Sequence, residues 1–116
     1  MKAANHCKSS VRHFGGRVGD YHIIHAWVDE SKDHYGDIRH RALRHHTQGI
    51  KECEKKFGII ITNSDNKNIP VRSIAEQHIR EDLGFIPSIQ DWLSEIRPRV
   101  WMSSTKKNTL KKMNLQ

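Results

Sequence analysis

Residues 37–58, DIRHRALRHHTQGIKECEKKFG, decide how the rest of the chain is read. Asp37 can accept hydrogen bonds from the free N–H groups that open a helix, and Gly58 can close one. Between them Leu43, Ile50, Cys53 and Phe57 recur at steps compatible with one helix face, which predicts a single long amphipathic helix. Continued at the same spacing, that apolar stripe takes in His40 and His46, with His45 one residue off it. An imidazole turned inward needs a hydrogen-bond partner, an ion pair or a metal, because an unsatisfied buried polar group costs roughly 1–3 kcal/mol.

Working outward, Ala3, Cys7, Val11 and Phe14 before Gly15-Gly16 predict a short first helix. Asp20 stands as the cap of a second helix, with Ile23, Ile24, Trp27 and Val28 on its apolar face and an end near Gly36. On the other side of the long helix, GIIITNSDNKNIPVRS switches to β-branched residues around a turn-forming cluster, which predicts a β-hairpin near 58–72. Ser73 with Glu76 has the form of a capping box for a fourth helix over 73–83, closed by Gly84. Its face carries Ile74, Ala75, Ile79 and Leu83, with His78 and Asp82 in or beside the same stripe. Pro87-Ser88 with Asp91 opens a last helix that Pro98 ends. The fold class expected is mainly α: a small bundle of about five helices, with one β-hairpin inserted between the third and fourth. Residues 1–102 form the single domain and 103–116 a basic, flexible tail.

The composition bounds what such a domain does. The chain has 116 residues, of which 35% are hydrophobic and 28% charged, so its core is thin. Nothing approaches the roughly 18 consecutive apolar residues of a membrane span, and the opening MKAANHCKSS lacks the apolar run of a signal peptide. A soluble, cytoplasmic protein without a membrane partner is expected. Two cysteines, Cys7 and Cys53, are too few for a cysteine-rich zinc site and read as inert core residues. The net charge of +7 suits an anionic partner, nucleic acid or an acidic protein, with Lys106, Lys107, Lys111 and Lys112 adding to the Arg-rich third helix.

The nine histidines outnumber the aromatic residues and carry the chemistry. His25 and Asp29 are four apart on the second helix, His78 and Asp82 four apart on the fourth, and His46 projects from the third. Helical bundles build metal centres from inward side chains at this spacing. His25, His46, His78 and Asp82 are the candidate ligands of a divalent metal, and mixed imidazole and carboxylate ligation suits Zn, Mn or Fe. Asp29 or Glu76 is the candidate base for a bound water, and Arg41 and Arg44 are candidates to hold phosphate. His13, His22 and His34 are expected to be solvated. The function expected is a metal-dependent phosphoester hydrolase acting on a nucleotide or nucleic acid. The alternative is a non-catalytic phage or bacterial accessory protein, whose His-rich polar core is structural and whose surface binds nucleic acid or an acidic protein.

RHRALRHHTQGI and SIAEQHIREDLGFIPSIQDWL, together with His6 and Ser9-Ser10, Phe14-Gly15-Gly16, the series His25, Trp27, Asp29, Ser31, Lys32, and Ile61-Thr62-Asn63-Ser64-Asp65, resemble a family of small bacterial and bacteriophage proteins classed as a domain of unknown function. The resemblance covers most of residues 6–102 and implies no particular chemistry. A looser likeness is to histidine and aspartate phosphohydrolases, helical proteins that hold a divalent metal between helices. The chain lacks their adjacent His-Asp doublet.

Overall fold

A computed structural model describes residues 1–103; the tail expected at 103–116, with its four lysines, lies outside the described residues except for Ser103. The architecture is mainly helical, as the periodicity predicts. Helices α1 (Ala3–Phe14), α2 (His22–Asp29), α3 (Thr47–Phe57), α4 (Val71–Leu83) and α5 (Ile89–Leu93) follow in order, and a hairpin of β1 (Ile60–Thr62) and β2 (Asn68–Pro70) sits between α3 and α4. The strands run antiparallel with Ile61 opposite Ile69. Short 3-10 turns occupy Val18–Asp20, Glu30–Asp33, Ile38–Leu43 and Val100–Ser103. No described helix is long and apolar enough to cross a membrane.

Helix α4 is the hub, packing on α1, α2 and α3. Ile74, Ala75 and Ile79 from it meet Cys7 of α1, Ile24 of α2, and Ile50 and Cys53 of α3, with Tyr21, Ile69 and Val71 completing the core. Each fully buried aliphatic side chain contributes about 1.5–3 kcal/mol, so this small set supplies most of the apolar driving force. Both cysteines are buried and free, and burial pushes the Cys53 thiol up to about 12, consistent with inert core positions. The hairpin is tied back to the α1–α2 connection. Asn63 donates to the Phe14 carbonyl at 3.1 Å and to the Tyr21 hydroxyl at 3.2 Å, and Ser64 Oγ donates to Asp20 at 2.6 Å. Asp20 is thus used on the hairpin loop and on Arg17 N–H, and it does not cap α2.

The long third helix predicted from Asp37 to Gly58 is two pieces. Asp37 does cap a turn, accepting from Arg39 N–H, but that turn is 3-10 and ends at Leu43. The backbone then turns through Arg44, His45 and His46 before α3 starts. His46 is the cap of α3: its Nδ1 accepts from Gly49 N–H at 3.0 Å. The turn brings the Arg44 carbonyl against Gly49 so closely that a Cβ there would lie 1.8 Å from the oxygen. From α5, whose Ser88–Asp91 capping box forms as predicted, Trp92 Nε1–H donates to the His45 carbonyl at 2.9 Å and holds the turn in place. Because the helical phase is lost at this break, Leu43 is 59% exposed, whereas the stripe places it inside.

Further readings move: α2 ends at Asp29 instead of near Gly36, and α5 ends at Leu93, ahead of Pro98. Helix α4 begins at Val71, directly after Pro70, so Ser73 and Glu76 lie inside it and form no capping box. Helix α2 is rotated relative to its predicted face: Ile23 is 64% exposed, while His25 and Asp29 join Ile24 and Val28 inside.

Gly49→Ala tests the turn. Backbone meets backbone here, so relaxation is limited and a loss of about 3 kcal/mol is expected in a urea melt. A variant within about 0.5 kcal/mol of the parent would show that the close approach does not constrain the fold.

Candidate metal centre

Three helices and the turn before α3 contribute to one buried group. Helix α1 supplies His6, Ser9 and Ser10; α2 supplies His25 and Asp29; the turn supplies His45; α4 supplies Gln77, His78, Glu81 and Asp82. On α4 the pairs 77/81 and 78/82 lie one turn apart in adjacent rows, so one helix presents two layers of polar groups. His6, His25, His45 and His78 are fully buried, and Asp29 is 8% exposed.

The inner layer consists of imidazole Nε2 atoms facing two carboxylates. His78 Nε2 lies 3.1 Å from Asp29 Oδ1 and 3.2 Å from Asp82 Oδ2. His45 Nε2 is 2.9 Å from Asp82 Oδ2 and 3.6 Å from Asp29 Oδ1. His6 Nε2 comes within 3.2 Å of Asp82 Oδ1 without the alignment of a hydrogen bond, which leaves this buried nitrogen unsatisfied. Arg41 Nη2 approaches Asp82 Oδ1 at 3.7 Å, and Lys32 Nζ approaches Asp29 Oδ2 at 3.6 Å. The outer layer holds the rings. His6 Nδ1 is 2.8 Å from Glu81 Oε1, and His25 bridges His78 Nδ1 at 2.9 Å and Ser10 Oγ at 2.7 Å.

These contacts set the charge states. Burial opposes ionisation of Asp82, but the imidazoles of His45, His6 and His78 around it hold its carboxyl well below the usual carboxylate range. Asp29 and Glu81 are likewise held low against burial, Asp29 chiefly by His78 and Glu81 by Ser9, His6 and Gln77. Burial works against a charged His78, yet its bonds to Asp29 and Asp82 raise its pKa. His25 has no such carboxylate, and burial, with His78 and His6 beside it, takes it down to about 3.

Of the residues singled out from sequence, the structure brings together His25, Asp29, Arg41, His78 and Asp82. It does not bring His46, whose Nε2 reaches the Ala42 carbonyl at 3.0 Å while its Nδ1 caps α3, so both ring nitrogens are occupied. His45, the neighbour left off the stripe, takes its place because the turn reverses which of the two points inward. Glu76 lines surface hollows with Ser73 and Arg80 on one side and Lys51 and Arg72 on the other, outside the group. Arg44 donates to the Trp27 carbonyl, pairs with Glu30 Oε1 at 3.3 Å and stacks 3.9 Å over the Trp27 ring, so its guanidinium is already engaged. His40 is buried against Ser31, 2.9 Å from its Oγ. The residues that helical periodicity misses are His6, Ser9, Ser10, Gln77 and Glu81. His6 and Ser10 are four apart beside Cys7, the spacing that marks the other pairs.

The ligand atoms of His6, Asp29, His78 and Asp82 all lie within 4.8 Å of one another, as do those of His6, His25 and His78. This group could hold a metal ion. The family of the domain of unknown function DUF6915 matches residues 1–102, and the chain belongs to it. Comparison with curated proteins and with solved structures finds no match.

Two outcomes follow for the metal-free protein. Truncating His78→Ala leaves two ionised carboxylates without their shared partner and is expected to lower stability by about 2–4 kcal/mol, whereas exposed His34→Ala stays within about 0.5 kcal/mol. Equal melting temperatures for the two variants would contradict the buried network. Acidification is the second. His25, His40, His45 and His46 have folded pKa values lowered by burial, so the unfolded chain takes up protons first as pH falls below about 6.5. His78 acts oppositely: its contribution is complete below its unfolded pKa and lost as pH rises through its raised folded value. The depressed histidines outnumber it, so the urea midpoint should be lower at pH 5 than at pH 7, and a higher midpoint at pH 5 would reverse the sign.

Proposed function

We propose that this DUF6915 chain is a divalent-metal-binding domain, with Nε2 of His6 and His78 and the carboxylates of Asp29 and Asp82 as ligands. One observation carries the reading. A tetrahedral ion with bonds of about 2.0–2.2 Å holds its ligand atoms about 3.4 Å apart. His78 Nε2 lies 3.1 Å from Asp29 Oδ1 and 3.2 Å from Asp82 Oδ2, close to two edges of such a polyhedron, and His6 Nε2 lies 3.2 Å from the other oxygen of Asp82. The chemistry of the set agrees: two carboxylates balance a divalent charge, and two imidazoles suit Zn, Mn or Fe better than Mg or Ca. Carboxylate support of an imidazole, as Glu81 gives His6, is also what metal-ligating histidines commonly receive.

The use we propose for the ion is hydrolysis of a phosphoester in a nucleotide or nucleic acid. A divalent ion lowers the pKa of a bound water to near neutrality. Asp29 reaches the protein surface beside Lys32, and the Arg41 side chain is 19% exposed next to Asp82. These two cations would hold the phosphate at the rim, Arg41 through its planar donors. His45 keeps Asp82 in place, and Asp29 is the more exposed of the two aspartates. The second reading, a non-catalytic accessory protein, is favoured by the burial of all four imidazoles, which keeps them out of reach of a substrate.

Elemental analysis of protein purified without a His-tag, after incubation with each metal, should give close to one Zn, Mn or Fe per chain and much less for Asp82→Asn. No bound metal in the folded parent would remove the proposal. Release of nitrophenol from bis(p-nitrophenyl) phosphate and p-nitrophenyl phosphate then separates the two uses. Turnover that Arg41→Ala weakens through KM supports the hydrolase, and a loaded protein without turnover supports the accessory reading.

A further inference from the structure

The outer layer around the centre is hydrogen-bonded in a way that leaves little choice about where its protons sit, and the order can be followed from one amide. Gln77 Nε2 is 2.9 Å from the His6 carbonyl oxygen and 2.9 Å from Glu81 Oε1, both of them acceptors. The NH2 group therefore occupies that side, and Gln77 Oε1 faces Ser10. Ser10 Oγ lies 2.6 Å from this oxygen, and two oxygens so close need a proton between them. Only the Ser10 hydroxyl can supply it. With its proton given to Gln77, Ser10 meets His25 Nε2 at 2.7 Å as an acceptor, so His25 carries its proton on Nε2.

The hydrogen-bond partners of His25 are the Ser10 hydroxyl and the His78 ring, with no carboxylate to balance a charge, so it stands as a neutral imidazole and its Nδ1 holds a lone pair. That nitrogen stands 2.9 Å from His78 Nδ1, which must donate. The outer face of His78 thus has its proton, and its other nitrogen, Nε2, is turned to Asp29 and Asp82. On the other side of the same amide, the Glu81 carboxylate accepts from Gln77 Nε2–H and from the Ser9 hydroxyl. His6 Nδ1, 2.8 Å from Glu81 Oε1, must also donate. Its Nε2 is likewise turned to Asp82.

We propose that Gln77 is the positioning residue of the centre: through Ser10 and His25 on one side and Glu81 on the other, it places the outer proton of both His78 and His6 on Nδ1 and directs both Nε2 lone pairs at Asp29 and Asp82. The inference rests on the reading of this group as a metal centre. A bare imidazole nitrogen is repelled by two carboxylates, so with its outer proton fixed on Nδ1 His78 meets them either as a cation that donates from Nε2 or through a metal ion lying between. The outer layer therefore favours a loaded centre over a neutral empty one. Gln77 reaches both ligand histidines while touching neither aspartate. No other side chain of the outer layer is bonded to both branches.

The test is two-bond 1H–15N NMR of histidine-labelled protein with and without zinc. In the zinc form, His6 and His78 should carry protons on Nδ1 with the metal on Nε2, and His25 should be neutral with its proton on Nε2. The His25 tautomer does not depend on the ion and should be the same without zinc. Zinc bound with His25 protonated on Nδ1, or with the metal on Nδ1 of His78, overturns the positioning role and leaves the metal centre standing. Failure to bind zinc, with His25 still protonated on Nε2, does the reverse. Gln77→Glu keeps the shape of the side chain but replaces the donors facing Glu81 with a second carboxylate. Its zinc affinity should fall roughly 10–100-fold, the scale at which outer partners of metal ligands act. A folded Gln77→Glu protein with parental affinity and parental tautomers also overturns the proposal.

Discussion

The ionised carboxylate of Asp82 lies almost wholly out of water, its side chain 1% exposed, and the surrounding structure is arranged around that fact. Taking one such ion out of solvent costs several kcal/mol even after relaxation, more than burial of one aliphatic side chain returns. The cost is offset by convergence: His6 comes from α1, His45 from the turn before α3, His78 from α4 itself, and Arg41 from the 3-10 turn. Apart from His78, each of these partners belongs to an element that must pack on α4 for its contact to exist. The polar group therefore constrains the helix arrangement as firmly as the small apolar core does. Buried polar and charged residues are as numerous in this domain as buried hydrophobic ones.

The charge pattern explains why so many histidines appear in a domain this size. Imidazole is the one side chain able to be a neutral donor, a neutral acceptor, a cation or a metal ligand within a small change of conditions. The group uses this range. His25 is held neutral, whereas His78 is driven toward the charged form by the aspartates it faces. Lysines in those places would bring fixed geometry of neither ring nor tautomer, and glutamines could not take up a proton.

Sequence made part of this visible. The i, i+4 pairs His25/Asp29 and His78/Asp82 could be found because each sets an imidazole and a carboxylate one helical turn apart at or beside an apolar stripe. The hairpin and the Ser88–Asp91 cap are local features and were legible for the same reason. What escaped is non-local. The break at Arg44 to His46 depends on a carbonyl packed against Gly49 and on Trp92 holding the turn from α5, so a periodicity that runs unbroken along the chain points to His46 instead of His45. His6 escaped because the inner face of α1 is largely polar, with Ser9 and Ser10 buried beside it. A stripe search looks for apolar residues and passes over a helix that turns serine and histidine inward. The family resemblance drew attention to those residues without assigning them a role.

His6 and Glu81, the two ends of one hydrogen bond, are 75 residues apart in the chain. During synthesis the first helix must wait for almost all the rest of the domain before its histidine has a carboxylate to face. Closing a loop of that length carries an entropic penalty that grows only slowly with length, so long separation delays the contact more than it weakens it. An ion seated between His6 and the aspartates would tie the start of the chain to its fourth helix, and would bind only after every helix carrying a ligand had docked. Occupancy would then serve as a record of completed folding: a chain that misplaces α1 or α4 has no place to hold the ion.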